Sequence, residues 1–177
     1  MATNASNMKI QFKYIFIFFP LFISITTCKK GLTKATQNGA NTFSCKINGN
    51  IFEPCPKIGV PDPSLYGGLS ITSIIIARVT ADCYSGTPQK SVAIELSHFN
   101  GIGNYSLTDS NYVCTYIEYG PGVSVKIYKS INGTVTITKD DRTNYILSGT
   151  FEFTAENTND VNDAVTVNDG RFDLSYK

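Results

Sequence analysis

With a single histidine and no tryptophan in 177 residues, this chain lacks most of the side chains on which catalytic and metal sites are built. His98 is the only imidazole, so any Ser-His-Asp, Cys-His or histidine–metal arrangement has to use it. It shares parity with Val92, Ile94 and Leu96, which puts it at the end of a core-facing row beside a turn. Ser-x-x-Lys, Gly-x-Ser-x-Gly and phosphate-cradling glycine loops are absent as well. Charged residues make up 16% of the chain and the net charge is +1, which leaves no footprint for nucleic acid. No apolar run reaches the ~20 residues that span a bilayer. These gaps argue against an enzyme and against a bound cofactor or metal.

The longest greasy stretch, Tyr14 to Ile25, is interrupted by Pro20 and preceded by Met8, Lys9 and Lys13. A basic start, a short apolar middle and a small-residue end make residues 1–27 a secretory signal peptide. Met8 is a candidate initiator, because the seven residues before it have no role in such a signal. The end, Ile25-Thr26-Thr27-Cys28, resembles a bacterial lipobox, with Thr27 where a smaller residue is usual. Cys28 is thereby expected to be diacylated at the cut, and acyl chains worth ~0.8 kcal/mol per buried CH₂ would hold it on a membrane. This places the chain in the envelope of a Gram-negative bacterium. No acidic run follows Cys28, so the periplasmic side of the outer membrane is expected. Residues 28–41 have no periodicity and are rich in Lys, Thr, Asn and Gly, a flexible tether whose r.m.s. reach is roughly 20 Å. Lys29, Lys30 and Lys34 are placed to meet anionic head groups.

From Thr42 to the end the chain alternates with period two, so residues 42–177 are expected to form one all-β domain. Phe43, Cys45 and Ile47 share a face, as do Val92, Ile94 and Leu96, then Val123, Val125 and Ile127, then Phe151 and Phe153, and finally Phe172, Leu174 and Tyr176. Asn48-Gly49, Asn132-Gly133 and Asp169-Gly170 are turn signals. The Ile74-Ile75-Ile76 run suits a central strand covered on both sides. The rhythm predicts an antiparallel β-sandwich of about eight to ten strands, with a meander β-barrel as the alternative. Residues 53–68, rich in Pro and Gly, are the one long irregular segment.

Five cysteines less a lipidated Cys28 leave Cys45, Cys55, Cys83 and Cys114, an even set suited to two disulfides in an oxidising compartment. A two-residue hairpin at Asn48-Gly49 sets Cys45 opposite Phe52, which puts Cys55 out of reach of Cys45. Cys55–Cys83 with Cys45–Cys114, or Cys45–Cys83 with Cys55–Cys114, remain. The first is preferred, because Cys55 and Cys83 both end strands beside loops.

Asp160, Asp163 and Asp169 gather near the end of the chain but lack calcium-loop spacing, and solvated turns explain them. Glu95, Glu118 and Glu152 fall at outward strand positions with no sign of a buried acid pair. If Val113 and Ile117 face inward, then Tyr112, Tyr116 and Tyr128 fall together on the outer face beside Glu118 and Lys126, around a hairpin at Gly120-Pro121-Gly122. Flat rings with hydrogen-bonding ends suit a glycan or an extended peptide.

The opening "NTFSCKINGNIFEP" and the closing "LSGTFEF" and "VTVNDGRFDLSY" resemble uncharacterised lipoproteins of Bacteroidota-type bacteria. The matching pieces are Asn48-Gly49 after a short first strand, the Gly149-Thr150-Phe151 strand and Gly170-Arg171-Phe172-Asp173. The resemblance implies a lipid-anchored β-domain and brings no catalytic residues. The expected function is a non-enzymatic binding or accessory module. A structural subunit of an envelope assembly is the alternative, and a carboxylate-based glycoside hydrolase comes last.

Overall fold

At Asn48-Gly49 both residues adopt positive φ, 48° and 79°, which lets a two-residue turn follow the right-handed twist of its strands. It joins β1 (Thr42–Ile47) to β2 (Asn50–Phe52), with Ile47 opposite Asn50 and Cys45 opposite Phe52. The computed structural model describes residues 31–55, 64–71, 75–84, 88–122 and 124–177. The signal segment, Cys28, residues 56–63, Ile74 and Val123 lie outside the described residues.

Eight further strands follow: β3 (Leu65–Ile71), β4 (Ile75–Cys83), β5 (Gln89–Ser97), β6 (Gly103–Ser106), β7 (Tyr112–Tyr119), β8 (Val125–Asp141), β9 (Ile146–Asn157) and β10 (Asp160–Ser175). The fold is all-β and antiparallel. One sheet runs β2-β1-β10-β9-β8-β7-β5-β4-β3, with β6 paired to β8 beyond the stretch that β7 occupies. The sheet curls into a half-barrel with its apolar side inward. Alternation explains the curl's contents: Phe43, Cys45, Val92, Ile94, Leu96, Phe151, Phe153, Phe172 and Leu174 are all buried. Phe43 lies 5.2 Å from Phe151 between ring centres, and Phe151 lies 6.4 Å from Phe172. Each such side chain contributes about 1.5–3 kcal/mol by leaving water.

Two expected turns are not turns. Asn132-Gly133 lies inside β8, where the register slips between Ser130 and Asn132. Asp169-Gly170 lies inside β10, where it slips between Val167 and Gly170 against β9. Asp169 has φ 52°. A bulge and a tight turn both need a residue that tolerates positive φ, so the same dipeptide serves either, and here it bends a long strand. At Gly170 a Cβ would stand 2.5 Å from the Phe151 ring and 2.5 Å from its carbonyl oxygen, so only glycine lets the bend close on the core.

The isoleucine run was expected in a central strand. Ile75 and Ile76 open β4, which is flanked by β3 and β5, and β3 is the edge strand. β3 pairs antiparallel with β4, Ile71 opposite Ile75, and residues 72–74 lie outside the described residues.

The outer face has buried polar residues of its own. Ser44, Ser148 and Asp173 point away from the core yet are almost fully buried, because residues 33–41 lie over them. This segment was expected to be a loose tether. Its bonds show otherwise from Thr33 onward. Thr33 meets the Ser44 hydroxyl through its own hydroxyl at 2.7 Å and its N–H at 3.1 Å, and its carbonyl accepts from Arg171 at 3.0 Å. Asp173 accepts from the Thr36 hydroxyl, from the backbone N–H groups of Asn38, Gly39 and Ala40, and from Ser148. Ser175 N–H donates to Asn41 Oδ1. The segment is a strap bound to β1, β9 and β10.

Candidate functional site

The tyrosines expected on an outer binding face are in the core. Tyr116 and Tyr128 are opposite each other across β7 and β8, as the hairpin required, but both are buried, their ring centres 5.5 Å apart. Tyr112 is half-buried and packs edge-on against Tyr105 at 5.1 Å. The inward set of β7 is Tyr112, Cys114 and Tyr116, and Val125, expected inside, is exposed. A signal for this was present: Cys114 shares their parity, and free cysteine is among the most buried residue types. The Tyr116 hydroxyl donates to Glu118, and burial, then that hydrogen bond, pushes its ionisation up. The Tyr128 hydroxyl donates to Asp163 at 3.1 Å.

The other candidates are dispersed. Cys55 and Cys83 form a disulfide with Cα atoms 4.3 Å apart. Cys45 and Cys114, on β1 and β7, are free buried thiols, so the second expected bridge is not made. Burial pushes the Cys45 thiol up to about 12 and raises that of Cys114. Thiolate chemistry is therefore suppressed at both. His98 is exposed, with φ 57°, and Phe99 takes the buried position instead. Asp163 is engaged by Lys126, Tyr128 and Asn157, and Asp169 by Lys46; among the described residues no cluster fit for a metal ion exists. Glu95 pairs with Arg78 on the outer face, Glu118 points inward, and Glu152 lies on β9, with β7 and β8 between it and β5. No two of these glutamates are brought together as an acid pair.

A different set of tyrosines does meet on the outside. Outward residues of β3, β4, β5 and β7 lie in cross-strand rows: Tyr66, Thr80 and Ala93 in one, Asp82, Ser91 and Ile117 in the next. With Tyr84, Gln89, Lys90 and Tyr119 they enclose a cleft of about 400 Å³. Tyr66 and Tyr119 are more than two-fifths exposed, whereas Thr80, Asp82 and Ser91 beneath them are buried. The Asp82 carboxylate accepts from the Tyr84 hydroxyl at 3.0 Å. Burial, then the Asp82 charge, raises the Tyr66 hydroxyl. The disulfide fixes this corner. Cys55 N–H donates to the Asp82 carbonyl at 3.0 Å and Tyr84 N–H to the Cys55 carbonyl at 3.2 Å. Exposed rings above a seated carboxylate, with the hydroxyls of Thr80 and Ser91 on the floor, give both stacking surface and directional hydrogen bonds.

A second concavity of about 750 Å³ lies on the strap side, across β6, β8, β9 and β10. Its polar lining is Asn104, Ser106, Thr134, Thr136, Thr150, Glu152, Asp169 and Arg171, and its one aromatic, Phe151, is a core residue.

Residues 72–173 match the model of a domain of unknown function (DUF6252). The chain belongs to this family. The match takes in β4 to β10 almost entirely, and hence most of the cleft, but neither the strap nor the β1–β2 hairpin. No curated protein and no solved structure matches the chain.

Proposed function

We propose that this DUF6252 chain is a non-enzymatic binding module, anchored by a diacylated Cys28 in the envelope of a Gram-negative bacterium, and that its cleft takes a saccharide. The anchor reading rests on the lipobox-like Ile25–Cys28, on the export signal ahead of it, and on the resemblance of both ends of the domain to Bacteroidota-type lipoproteins. The periplasmic side of the outer membrane is its proposed place.

The observation that carries the binding reading is the exposure of Tyr66 and Tyr119 over the buried Asp82. Phenol rings stack on the C–H face of a pyranose, and a carboxylate accepts from its hydroxyls. A glycan array probed with the domain, and calorimetry on any hit, test this. Tyr66→Ser with Tyr119→Ser should leave the fold intact and remove binding. A ligand held with full affinity by the folded double variant removes the cleft from the reading. An extended peptide is the other occupant to screen. For the anchor, Cys28→Ala should leave an unprocessed precursor that takes up no fatty-acid probe. Cleaved, membrane-retained Cys28→Ala protein would end that reading.

A second reading, a structural subunit of an envelope assembly, is favoured by β3. This edge strand, Leu65–Ile71, carries no charge and no proline to discourage pairing with another strand. Cross-linking in intact cells separates the two, since a subunit would be captured with a fixed partner.

A further inference from the structure

The strap changes where an anchored domain can go. A free tether from Cys28 to Thr42 would let the domain roam. With Thr33 fixed to Ser44 and Arg171, only five peptide units separate the lipidated cysteine from the sheet. Fully extended, they reach roughly 17 Å. We propose that the outer face of β1, β10 and β9, where the strap enters, is held against the lipid head-group surface, and that the Tyr66–Tyr119 cleft faces away from it. The inference rests on the anchor reading above, and not on the identity of the ligand.

The fold gives the direction. The sheet order places β10 four steps from β5, the strand that runs through the middle of the cleft. The curl turns those two strands towards each other across the core. Tyr116 on β7 and Cys45 on β1 accordingly lie in one core cluster, both fully buried. An outer face on β1 and β10 therefore points away from the outer face of β5 and β7. Tether length, and not charge, fixes the arrangement. Lys46 is paired with Asp169 at 2.7 Å, and Glu152 stands exposed on the same face. Lys34 is exposed just beyond the strap's first contact and adds a weak attraction to anionic lipid. The partner surface is the bilayer itself. Lipid head groups meet the threonine-lined concavity, leaving the cleft open to solutes.

The test uses the full lipidated chain in phosphatidylethanolamine–phosphatidylglycerol vesicles doped with a nickel-chelating lipid. One spin label is placed at Thr150 on the strap side, another at Arg78 on the cleft side; both positions are exposed. Relaxation by the membrane-bound nickel should be several-fold stronger at Thr150. Inserting eight Gly/Ser residues between Lys30 and Gly31 leaves every strap bond in place and lengthens the leash, and it should erase the difference. Equal relaxation at the two sites in the unmodified chain, or a stronger effect at Arg78, overturns the inference while co-flotation with the vesicles keeps the anchor reading. A chain that fails to co-float at all brings down the anchor reading, and the inference with it.

Discussion

Cys55 and Cys83 tie the two margins of the sheet together, Cys55 just past β2 at one edge and Cys83 at the end of β4, next to the other. The bridge closes a separation of 28 residues. In the chain-entropy account a loop of that size is worth about 3–4 kcal/mol. Replacing both cysteines with serine should lower the urea midpoint accordingly and steepen the slope, because the denatured chain without its cross-link is more expanded. In a chain starting at Gly31, denatured without reductant, two thiols should be alkylated, Cys45 and Cys114, and four after reduction. Four before reduction would show that the bridge does not form.

The strap makes a pH prediction. Burial alone would raise the Asp173 carboxyl, but hydrogen bonds from Thr36, Ala40, Ser148 and Gly39 outweigh it and hold it at about 2, below its ordinary 3.8. A carboxyl depressed on folding adds stability that is fully present above its unfolded value and is lost as pH falls through the folded one. The span is worth about 2 kcal/mol, lost between roughly pH 4 and pH 2. Urea titrations across this window should show that loss in the native chain and a flatter limb in Asp173→Asn. Hydrogen exchange at the amides of Asn38, Gly39 and Ala40 should rise in the same variant. Unchanged exchange there would mean that the strap is held by other contacts.

Much of this fold was legible in the sequence, and the misses have particular causes. Inward rows such as Val92-Ile94-Leu96 were clear because one side of each strand faces water and the other does not. β7 defeated that logic because both of its faces are half apolar: Val113 and Ile117 outside, Tyr112 and Tyr116 inside. The two bulges were hidden because Asn-Gly and Asp-Gly supply the same backbone freedom to a bend as to a turn. The strap was invisible for a different reason. Its attachment depends on Asp173, more than 130 residues away in the chain, and nothing in a polar, aperiodic segment announces so distant a partner. The cleft was missed for the same reason, since Tyr66 and Tyr119 meet only through the order of the sheet.

Gly170 offers a sharp test of the bulge in β10. A methyl group there would collide with the Phe151 ring and backbone at 2.5 Å, and neither can move without disturbing the contacts of Phe151 with Phe43 and Phe172. Gly170→Ala should cost on the order of 1–3 kcal/mol by overpacking. Gly49→Ala, by contrast, meets no atom within 4 Å, so its penalty should come from positive φ alone and be smaller. Thermal unfolding of the two variants side by side would settle the order, and the reverse ranking would contradict the bulge geometry.

The buried tyrosines give the last test, because it distinguishes a core from a binding face. Tyr116 is fully buried and Tyr128 nearly so, and both hydroxyls reach carboxylates at the rim, Glu118 and Asp163. Tyr116→Phe keeps the ring and loses only the hydroxyl's bond, so it should cost about 1 kcal/mol or somewhat more. Tyr116→Ser removes the ring and leaves a cavity, a change in the range of about 3–5 kcal/mol by analogy with other aromatic truncations. Combined with Tyr112→Ser and Tyr128→Ser it should prevent folding altogether, since domains of this size hold only about 5–15 kcal/mol in total. Tyr66→Ser with Tyr119→Ser should leave the melting temperature almost where it was. A triple variant that folds normally would return those tyrosines to the surface and reverse the assignment of faces on β7.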